Sequence, residues 1–347
     1  MFSSRASVTA SPSGSVPRRR RRAVVTTILI GAFAGVIALG LVAVDRYGPR
    51  FGLYLVPPSP QKYAEVAVEW LDGGYHTDDP EWPAARAAVL EASRSARSSA
   101  ELSPVLEHAT RVAGGRHSRF LTAEEASSAP AEDVPPPTVT SEGGVTTIVL
   151  PEMISPSPDD QHAYAATVAD GIDRAAADTC GWVIDLRGNT GGNMAPMLSG
   201  VVALLPDGPA LSFRSRQGGE TPVTIGSRGV AIAGSVSVDV GPRAKVAAHS
   251  IAVLQDDGTA SSGEAVLAAF RGVDGARTFG LDSAGYTSAN VSRTLYDGAT
   301  LVLTESEYVD RTGHGYAEGP IAPDERTPAD AADTGARAWL RDQGCAQ

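Results

Sequence analysis

The second half of the chain alternates apolar strands with helices, and this alternation restricts the fold more than any other feature. GWVIDLR (181–187) and IAVLQ (251–255) are continuous apolar runs, typical of strands buried on both faces of a sheet. A helical pattern follows each run, at residues 193–205 and from Ser262. The other predicted elements are strands at 145–150, 278–282 and 299–305 and a helix at 162–177. This order predicts an α/β core with right-handed crossovers between parallel strands.

Two polar turns follow the two buried strands. DLRGNTGGN comes after the first strand, and DDGTASSGE comes after the second. Because ligands gather at the carboxyl ends of parallel strands, we expect both turns to face one cleft. Each turn also precedes a helix, whose N-terminus offers free amides and the positive end of a dipole. Such a cleft is suited to stabilising a developing oxyanion.

Ser261 stands at the start of the second helix, where it can be either a helix cap or a nucleophile. Together with Glu264 it fits the S-x-x-E capping-box pattern. The G-x-S-x-G elbow of α/β-hydrolases is absent around it. A serine nucleophile also needs a base within hydrogen-bond reach, so the choice depends on the candidate bases.

Candidate bases are few, because the chain contains two lysines and six histidines. His117 is the best placed, since it lies in GGRHS, a Gly-rich turn that ends a predicted helix, and loops often carry function. His249 begins the strand that leads to Ser261 and would lie at the opposite end of it. His314 lies in a late loop that we expect to be flexible, and no supporting context surrounds His76, His108 and His162.

An apolar run from Ala23 to Val44 follows five consecutive arginines. At about 1.5 Å per residue it is long enough to cross a hydrocarbon core of about 30 Å. Because no convincing A-x-A cleavage site follows, we expect an uncleaved transmembrane anchor at 23–44 rather than a cleaved signal peptide. The arginines predict that residues 1–22, a disordered basic tail, are cytoplasmic. The protein would then cross the cell membrane once, with its C-terminal domain extracytoplasmic.

The charge of the chain is unevenly distributed. The formal net charge is −11, and residues 1–44 contain six arginines and no acidic residue, so the remainder carries −11 − 6 = −17. Such an acidic domain argues against nucleic acid as a partner, because phosphate binding needs a basic surface. It would tend to attract cationic ligands.

Composition and periodicity divide the rest of the chain. The predicted parts are a linker at 45–60, a helical region at 61–124, a Pro-rich connector at 125–144 and a core domain at 145–347 with a flap or cap at about 206–248. Within the helical region the helices are predicted near 61–73, 81–97 and 101–113. The only two cysteines, Cys180 and Cys345, lack metal-ligand spacing. Outside the membrane they could form one disulfide, and two unpaired buried thiols are the equal alternative.

Five motifs, in order from His117 to Asp324, together resemble the C-terminal processing, or tail-specific, serine peptidases. They are GGRHS, GWVIDLRGNTGGNMAPML, DDGTASSGEAVLAAFRG, FGLDSAGYTSAN and EGPIAPD. The resemblance is greatest to the branch that includes nisin-resistance proteins. It implies a core of the crotonase type. It also implies a serine-type peptidase that cleaves peptide bonds near substrate C-termini.

The resemblance also implies roles for individual residues. Ser261 corresponds to the nucleophile and His117 to the base. The Ser262 amide and an amide of Gly191 or Gly192 would form the oxyanion hole. Substrate binding is assigned to Asn189, Arg187 and Glu264, although Arg187 also fits a salt bridge with Asp185 and Glu264 fits a helix cap.

Two departures from better-known relatives define the branch. Those relatives use a lysine about 25 residues after the serine, whereas this chain has Tyr286 there and no lysine after Lys245. A Ser–Lys dyad of that type is therefore excluded. The interval between His117 and Val145 is also too short for the PDZ domain of many relatives.

The implied mechanism is acyl transfer, with no metal or other cofactor. A neutral histidine is required, so we expect activity to fall below a pKa near 6.5 if that pKa is unperturbed. The expected partner is a peptide or protein, either a cationic antimicrobial peptide or another extracytoplasmic protein. Two alternatives remain open: an esterase with the same dyad, and a non-catalytic module that binds peptides or small lipophilic ligands on the same fold.

Overall fold

The structure, a computed structural model, describes residues 32–33, 35–44, 47–48, 52–128, 135–155, 157–246 and 250–345. The chain divides into two units, Met1–Pro58 and Ser59–Gln347. In the first unit residues 35–44 are helical. Within the described ranges, no helix combines the length and the apolar character needed to cross a membrane. His249, the predicted tail at 1–22 and residues 23–31 of the predicted anchor lie outside these ranges.

Three helices form the first part of the second unit, close to where periodicity predicts them. They are α1 (Pro60–Leu71), α2 (Trp82–Ser95) and α3 (Ser103–Gly114), with a short 3₁₀ helix at Ser99–Leu102. Ser59 caps α1 by accepting a hydrogen bond from the Lys62 N–H. Gly115 ends α3 with a φ of 76°, a conformation that favours glycine. The apolar faces of the helices pack together and against Leu301 and Leu303.

A mixed sheet of six strands forms the centre of the unit. The strands are β2 (Thr138–Glu142), β3 (Val145–Val149), β4 (Gly181–Asp185), β9 (Ser250–Gln255), β10 (Ala276–Gly280) and β13 (Glu325–Arg326), in the order β13-β10-β9-β4-β3-β2. Every neighbouring pair is parallel except β2 and β3, which are antiparallel. The structure thus has the mixed α/β architecture that the alternation predicts.

Helices cover both faces of this sheet, which explains why its central strands are continuously apolar. On one face Trp182, Ile184 and Val253 pack with α5 (Pro158–Ala175), α6 (Met194–Gly200) and α7 (Ser262–Phe270). On the other face Val183 and Leu254 pack with α8 (Ala332–Asp342). Successive residues of a strand point to opposite faces, so burial of both faces requires apolar residues at every position.

A second sheet is antiparallel and contains seven strands. They are β1 (Arg119–Leu121), β5 (Gly208–Ser215), β6 (Glu220–Gly226), β7 (Gly229–Ile232), β8 (Ser235–Val236), β11 (Ser288–Thr294) and β12 (Thr300–Asp310). The region predicted as a flap contributes β5 to β8, and β5 pairs with β12 from Leu211 to Ser215. It therefore continues into a sheet that also includes strands from both ends of the unit.

The predicted connector at 125–144 is only partly irregular. Residues 138–142 form β2, which pairs with β3 across a turn at Gly143–Gly144, so the prediction of a loop was wrong there. The mostly exposed side chains of β2 explain the error, since an edge strand that is exposed carries no apolar pattern. A short helix, α4 (Ala123–Ser127), also extends into the first residues of the predicted connector and begins with a capping box at Thr122.

Cys180 and Cys345 form a disulfide, which decides between the two alternatives that the sequence leaves open. The bond joins the residue before β4 to the chain just after α8 and closes a loop of 165 residues. Cys345 is buried among apolar residues of α8 and of the sheet, including Leu340 and Val183. The C-terminal helix is therefore held covalently against the sheet.

We expect the Cys180→Ser/Cys345→Ser double variant to be less stable than the oxidised protein by about 2–5 kcal/mol, because the disulfide restricts the unfolded chain. Chemical denaturation of the full chain, followed by tryptophan fluorescence, measures this difference. Reduced wild-type protein is the matched control and should unfold together with the variant. Equal midpoints for oxidised and reduced wild type would contradict the prediction.

Candidate active site

The two polar turns lie against each other, because β4 and β9 are adjacent and parallel. The Gly188 N–H donates to Asp256 Oδ1 at 2.9 Å. The Ala260 N–H donates to the carbonyl oxygen of Asn189, also at 2.9 Å. The turn with the glycines and the turn with Ser261 are therefore parts of one site, as their positions after buried strands predict.

Ser261 has an unusual backbone conformation for a residue with a side chain. Its φ is 52° and its ψ is −115°, and α7 begins at the next residue. A non-glycine residue in such a region costs about 1–3 kcal/mol, so the surrounding structure must hold it there. Glu264 contributes to this, since its Oε2 accepts a hydrogen bond from the Ser261 N–H at 2.8 Å. The Tyr308 hydroxyl lies next to the Ser261 side chain.

Gly191 closely approaches Ser261 and the start of α7. A Cβ atom at Gly191 would lie 2.8 Å from Ser261 Cβ and 3.0 Å from the Ser262 nitrogen. Its φ of 116° also favours glycine. No described residue accepts a hydrogen bond from the Ser262 N–H. The space beside Gly191 therefore contains an unpaired amide at the positive end of a helix.

The two glycines offered by the sequence as amide donors are not equivalent. The Gly191 N–H already donates to Asn189 Oδ1 at 2.9 Å. Among the described residues, nothing accepts a hydrogen bond from the Gly192 N–H. The Ser262 hydroxyl donates to the Gly192 carbonyl oxygen at 2.6 Å and holds this peptide in place. Of the two amides, Gly192 is thus the one available to an oxyanion.

Asn189 does not face a substrate. Its side chain is fully buried, with Nδ2 donating to the Leu150 carbonyl at 2.8 Å and Oδ1 accepting from Gly191. The expectation that Asn189 binds substrate is therefore wrong. Its side chain instead fixes the glycine turn.

Arg187 is also engaged within the protein. Its guanidinium binds both carboxylate oxygens of Asp185, at 2.6 and 2.9 Å, and its Nη1 donates to the Ala329 carbonyl at 3.1 Å. This is the internal salt bridge that the sequence favours for Asp185 beside Arg187. Substrate binding by Arg187 stays a prediction, and its guanidinium is already paired within the protein.

Glu264 is fully buried, which contradicts the expectation that it contacts substrate. Its carboxylate accepts four hydrogen bonds, from the amides of Ser261, Gly285 and Tyr286 and from the Ser283 hydroxyl. Burial raises the pKa of this carboxyl, and the four donors oppose that shift. Glu264 therefore joins the serine turn to the loop at 283–286.

His117 follows the end of α3 and is half-buried. Its Nδ1 lies 2.9 Å from the Ser288 hydroxyl, which donates to Glu318 Oε1 at 3.2 Å. Because Ser288 uses its proton on Glu318, its oxygen accepts from Nδ1–H, and Nε2 is left as an acceptor. The His117 ring packs on the Tyr286 ring, with centroids 5.0 Å apart.

His117 and Ser261 share no hydrogen bond in the described structure. Catalytic hydrogen bonds are often long in resting enzymes and shorten only when substrate binds. Burial lowers the pKa of His117 to about 4, against the charge of Glu318, and Arg119 and Arg116 lower it further. The imidazole is therefore neutral near pH 7, the form that a general base requires.

The sequence interpretation did not single out Ser288, which contacts His117, or Glu318, which binds Ser288. Both fall within quoted motifs, in FGLDSAGYTSAN and EGPIAPD. Ser288 is 171 residues from His117 in the chain, so no local spacing could connect them. Across the described part of the chain, no group of three or more His, Cys, Asp or Glu side chains could hold a metal ion.

Comparison with known proteins places this site in a family. Peptidase family S41 matches residues 144–327 of the chain. A nisin-resistance protein from Lactococcus lactis subsp. lactis is 36% identical over 319 residues, which are 91% of this chain and 98% of that protein.

Solved structures agree with this result. A lipoprotein from Streptococcus agalactiae is 26% identical, with a TM-score of 0.74 over 84% of this chain and 99% of that one. The photosystem II D1 C-terminal processing protease, at 14% identity and a TM-score of 0.57, covers 82% of this chain and 97% of its own and shares the fold. The chain belongs to peptidase family S41, in the branch of the C-terminal processing peptidases that resembles nisin-resistance proteins.

Proposed function

We propose that this protein is a membrane-anchored, extracytoplasmic serine endopeptidase in which Ser261 is the nucleophile and His117 the base. The observation that carries the proposal is the conformation of Ser261, a strained residue directly before the unpaired Ser262 amide. Strain of this kind clusters at active sites. Membership of peptidase family S41 supports the same chemistry.

The proposed reaction begins when His117 Nε2 accepts the proton of Ser261 Oγ, which attacks the carbonyl carbon of a peptide bond. The oxyanion is stabilised by the amides of Ser262 and Gly192, and one such donor is worth about 10²–10³ in rate. His117 then protonates the leaving amine. Water hydrolyses the acyl-enzyme by the same route in reverse.

Ser288 and Glu318 would orient the base in this reaction. Their hydrogen bonds place the proton of neutral His117 on Nδ1, so that Nε2 can accept the proton of Ser261. When His117 becomes an imidazolium, the carboxylate of Glu318 stabilises its charge through Ser288. Ser288 and Glu318 thus complete the dyad that the sequence suggests.

The relatives support a location and a substrate class. One is named a lipoprotein, which favours membrane association, and the apolar run at 23–44 would supply the anchor. Another is named a nisin-resistance protein, which favours a peptide of that kind as substrate. The charge of −17 beyond residue 44 suits a cationic peptide. Cleavage of another extracytoplasmic protein near its C-terminus is the second candidate, and a crotonase-type core stays a prediction.

Covalent labelling tests the proposed dyad. We expect a fluorophosphonate to modify Ser261 in the full chain, because only an activated serine reacts. Intact mass and peptide mapping identify the modified residue. Labelling should disappear in Ser261→Ala and fall at least 10²-fold in His117→Ala.

The matched control is His108→Ala, which removes an exposed histidine from the same helical region. It should label like wild type. No labelling of wild type, or labelling that survives in His117→Ala, would favour a non-catalytic peptide or lipophilic-ligand binding module on this fold.

The pH dependence follows from the lowered pKa of His117. Its neutral form is the base and persists above the pKa, so the labelling rate should fall to background as pH falls through about 4. This replaces the expectation of loss near 6.5. Rates measured from pH 3 to 9, with circular dichroism to verify folding, determine the midpoint. Complete loss with a midpoint near 6.5 would rule out this environment for the base.

Gly191→Ala tests the oxyanion space. The added Cβ would press on Ser261 Cβ and the Ser262 nitrogen, so labelling should slow by about 10²-fold or more. Gly188→Ala is the control, because Gly188 also has a positive φ, 68°, yet its Cβ would meet no atom within 4 Å. Equal losses in the two variants would mean that backbone strain alone is responsible.

A further inference from the structure

We propose that His76 is a positioning residue that acts on His117 through Glu318 and Ser288. Protonation of His76 weakens His117 as a base. The inference rests on the proposed function, since it concerns the regulation of that same site. It adds a pH-sensitive element from the helical region, to which no sequence context pointed.

A continuous chain of hydrogen bonds connects the two histidines. His76 Nε2 lies 2.9 Å from Glu318 Oε2. The other carboxylate oxygen of Glu318 accepts from the Ser288 hydroxyl at 3.2 Å, and Ser288 lies 2.9 Å from His117 Nδ1. The same carboxylate therefore contacts His76 directly and His117 through one hydroxyl.

The turn that bears His117 leaves room for this contact. A Cβ atom at Gly115 would lie 2.7 Å from Glu318 Oε2 and 2.9 Å from His76 Nε2. The His76 N–H also donates to the Ala113 carbonyl at the end of α3, at 2.8 Å. His76 is thus fixed against the segment that carries the base.

The surroundings of His76 favour its protonated form. Nδ1 lies 3.1 Å from Asp79 Oδ2, so each ring nitrogen faces a carboxylate, and only the imidazolium can donate to both. Burial is the largest single influence and opposes the charge, but Glu318 and Asp79 together outweigh it and raise the pKa of His76 above 6.5. The Glu318 side chain is only 10% exposed, so solvent screens this pair weakly.

Other polar groups surround His76 and Glu318, and each of these groups has contacts of its own. The Tyr75 ring packs edge-on against His76, and Arg116 donates to the backbone carbonyl of Glu318 at 3.2 Å. The remaining charged groups near Tyr75 and the turn are Glu307, Arg214 and the Arg216–Asp78 ion pair. Among these groups, His76 is the one whose ring hydrogen-bonds a carboxylate oxygen of Glu318 directly.

The consequence for His117 is electrostatic. Protonated His76 offsets the charge of Glu318, so the imidazolium that forms on His117 during the reaction receives less stabilisation. Deprotonation of His76 restores the full carboxylate charge and strengthens the base. The rate of Ser261 labelling should therefore rise as His76 loses its proton with increasing pH. We expect a rise of roughly 3–10-fold for a charge that acts through one carboxylate and one hydroxyl.

His76→Gln tests this, because glutamine keeps an N–H donor for Glu318 but cannot ionise. Fluorophosphonate labelling of the full chain from pH 3 to 9 should give two steps in wild type, one near 4 and one above 6.5. His76→Gln should lose the upper step and keep a single step, moved to a pH above about 4. Asp79→Asn removes one carboxylate partner of His76 and should move the upper step to lower pH. His108→Gln, on the exposed face of the helical region, should retain both steps.

Histidine NMR supplies a readout that does not depend on activity. Removing the cation beside Glu318 should raise the titration midpoint of His117 above about 4 in His76→Gln. Superimposable pH profiles and an unmoved His117 midpoint would overturn the role of His76 while leaving the dyad intact. An unlabelled wild type would instead reject the proposed peptidase, and the NMR midpoint would still decide whether His76 acts on His117.

Discussion

The buried carboxylate of Glu264 is the interaction on which the candidate site depends. It accepts hydrogen bonds from the backbone of Ser261 and from three donors of the loop at 283–286. Burying a carboxyl group without partners is unfavourable, and four donors compensate for the lost water. Because the donors belong to two separate segments, Glu264 holds the strained serine and the loop in one arrangement. A residue that looks like a helix cap in the sequence therefore organises the site.

Three parts of the fold converge on this arrangement. The mixed sheet supplies Ser261 and the amides beside it, the turn after α3 supplies His117, and the antiparallel sheet supplies Ser288. Tyr286 connects them, since its amide binds Glu264 while its ring packs against His117. The guanidinium carbon of Arg116 lies over the same ring, 4.5 Å from its centroid. Ser261 and His117 are thus fixed to one loop without a direct hydrogen bond between them.

The sequence predicted the elements whose burial leaves a pattern. Continuous apolar runs identified β4 and β9 because helices cover both faces of that sheet, and the positions of the turns then followed from parallel pairing. Strand β2 was not predicted, because its side chains are mostly exposed and leave no apolar pattern. The helix-cap interpretation of Glu264 was correct, but the substrate-binding roles of Asn189 and Glu264 were misassigned, for a different reason. A buried polar side chain is defined by its partners, and these come from segments distant in the chain.

Glu318 illustrates how one carboxylate can have opposite outcomes at two histidines. It raises the pKa of both rings, yet His117 has a pKa lowered to about 4 and His76 a raised one. The difference lies first in burial, which is deeper at His117 and lowers its pKa, and then in the contacts and neighbours of each ring. His76 hydrogen-bonds Glu318 directly and also meets Asp79, whereas His117 reaches Glu318 only through Ser288 and lies near two arginines. The positive charge is therefore held on His76, whereas the His117 ring remains neutral and free to accept a proton.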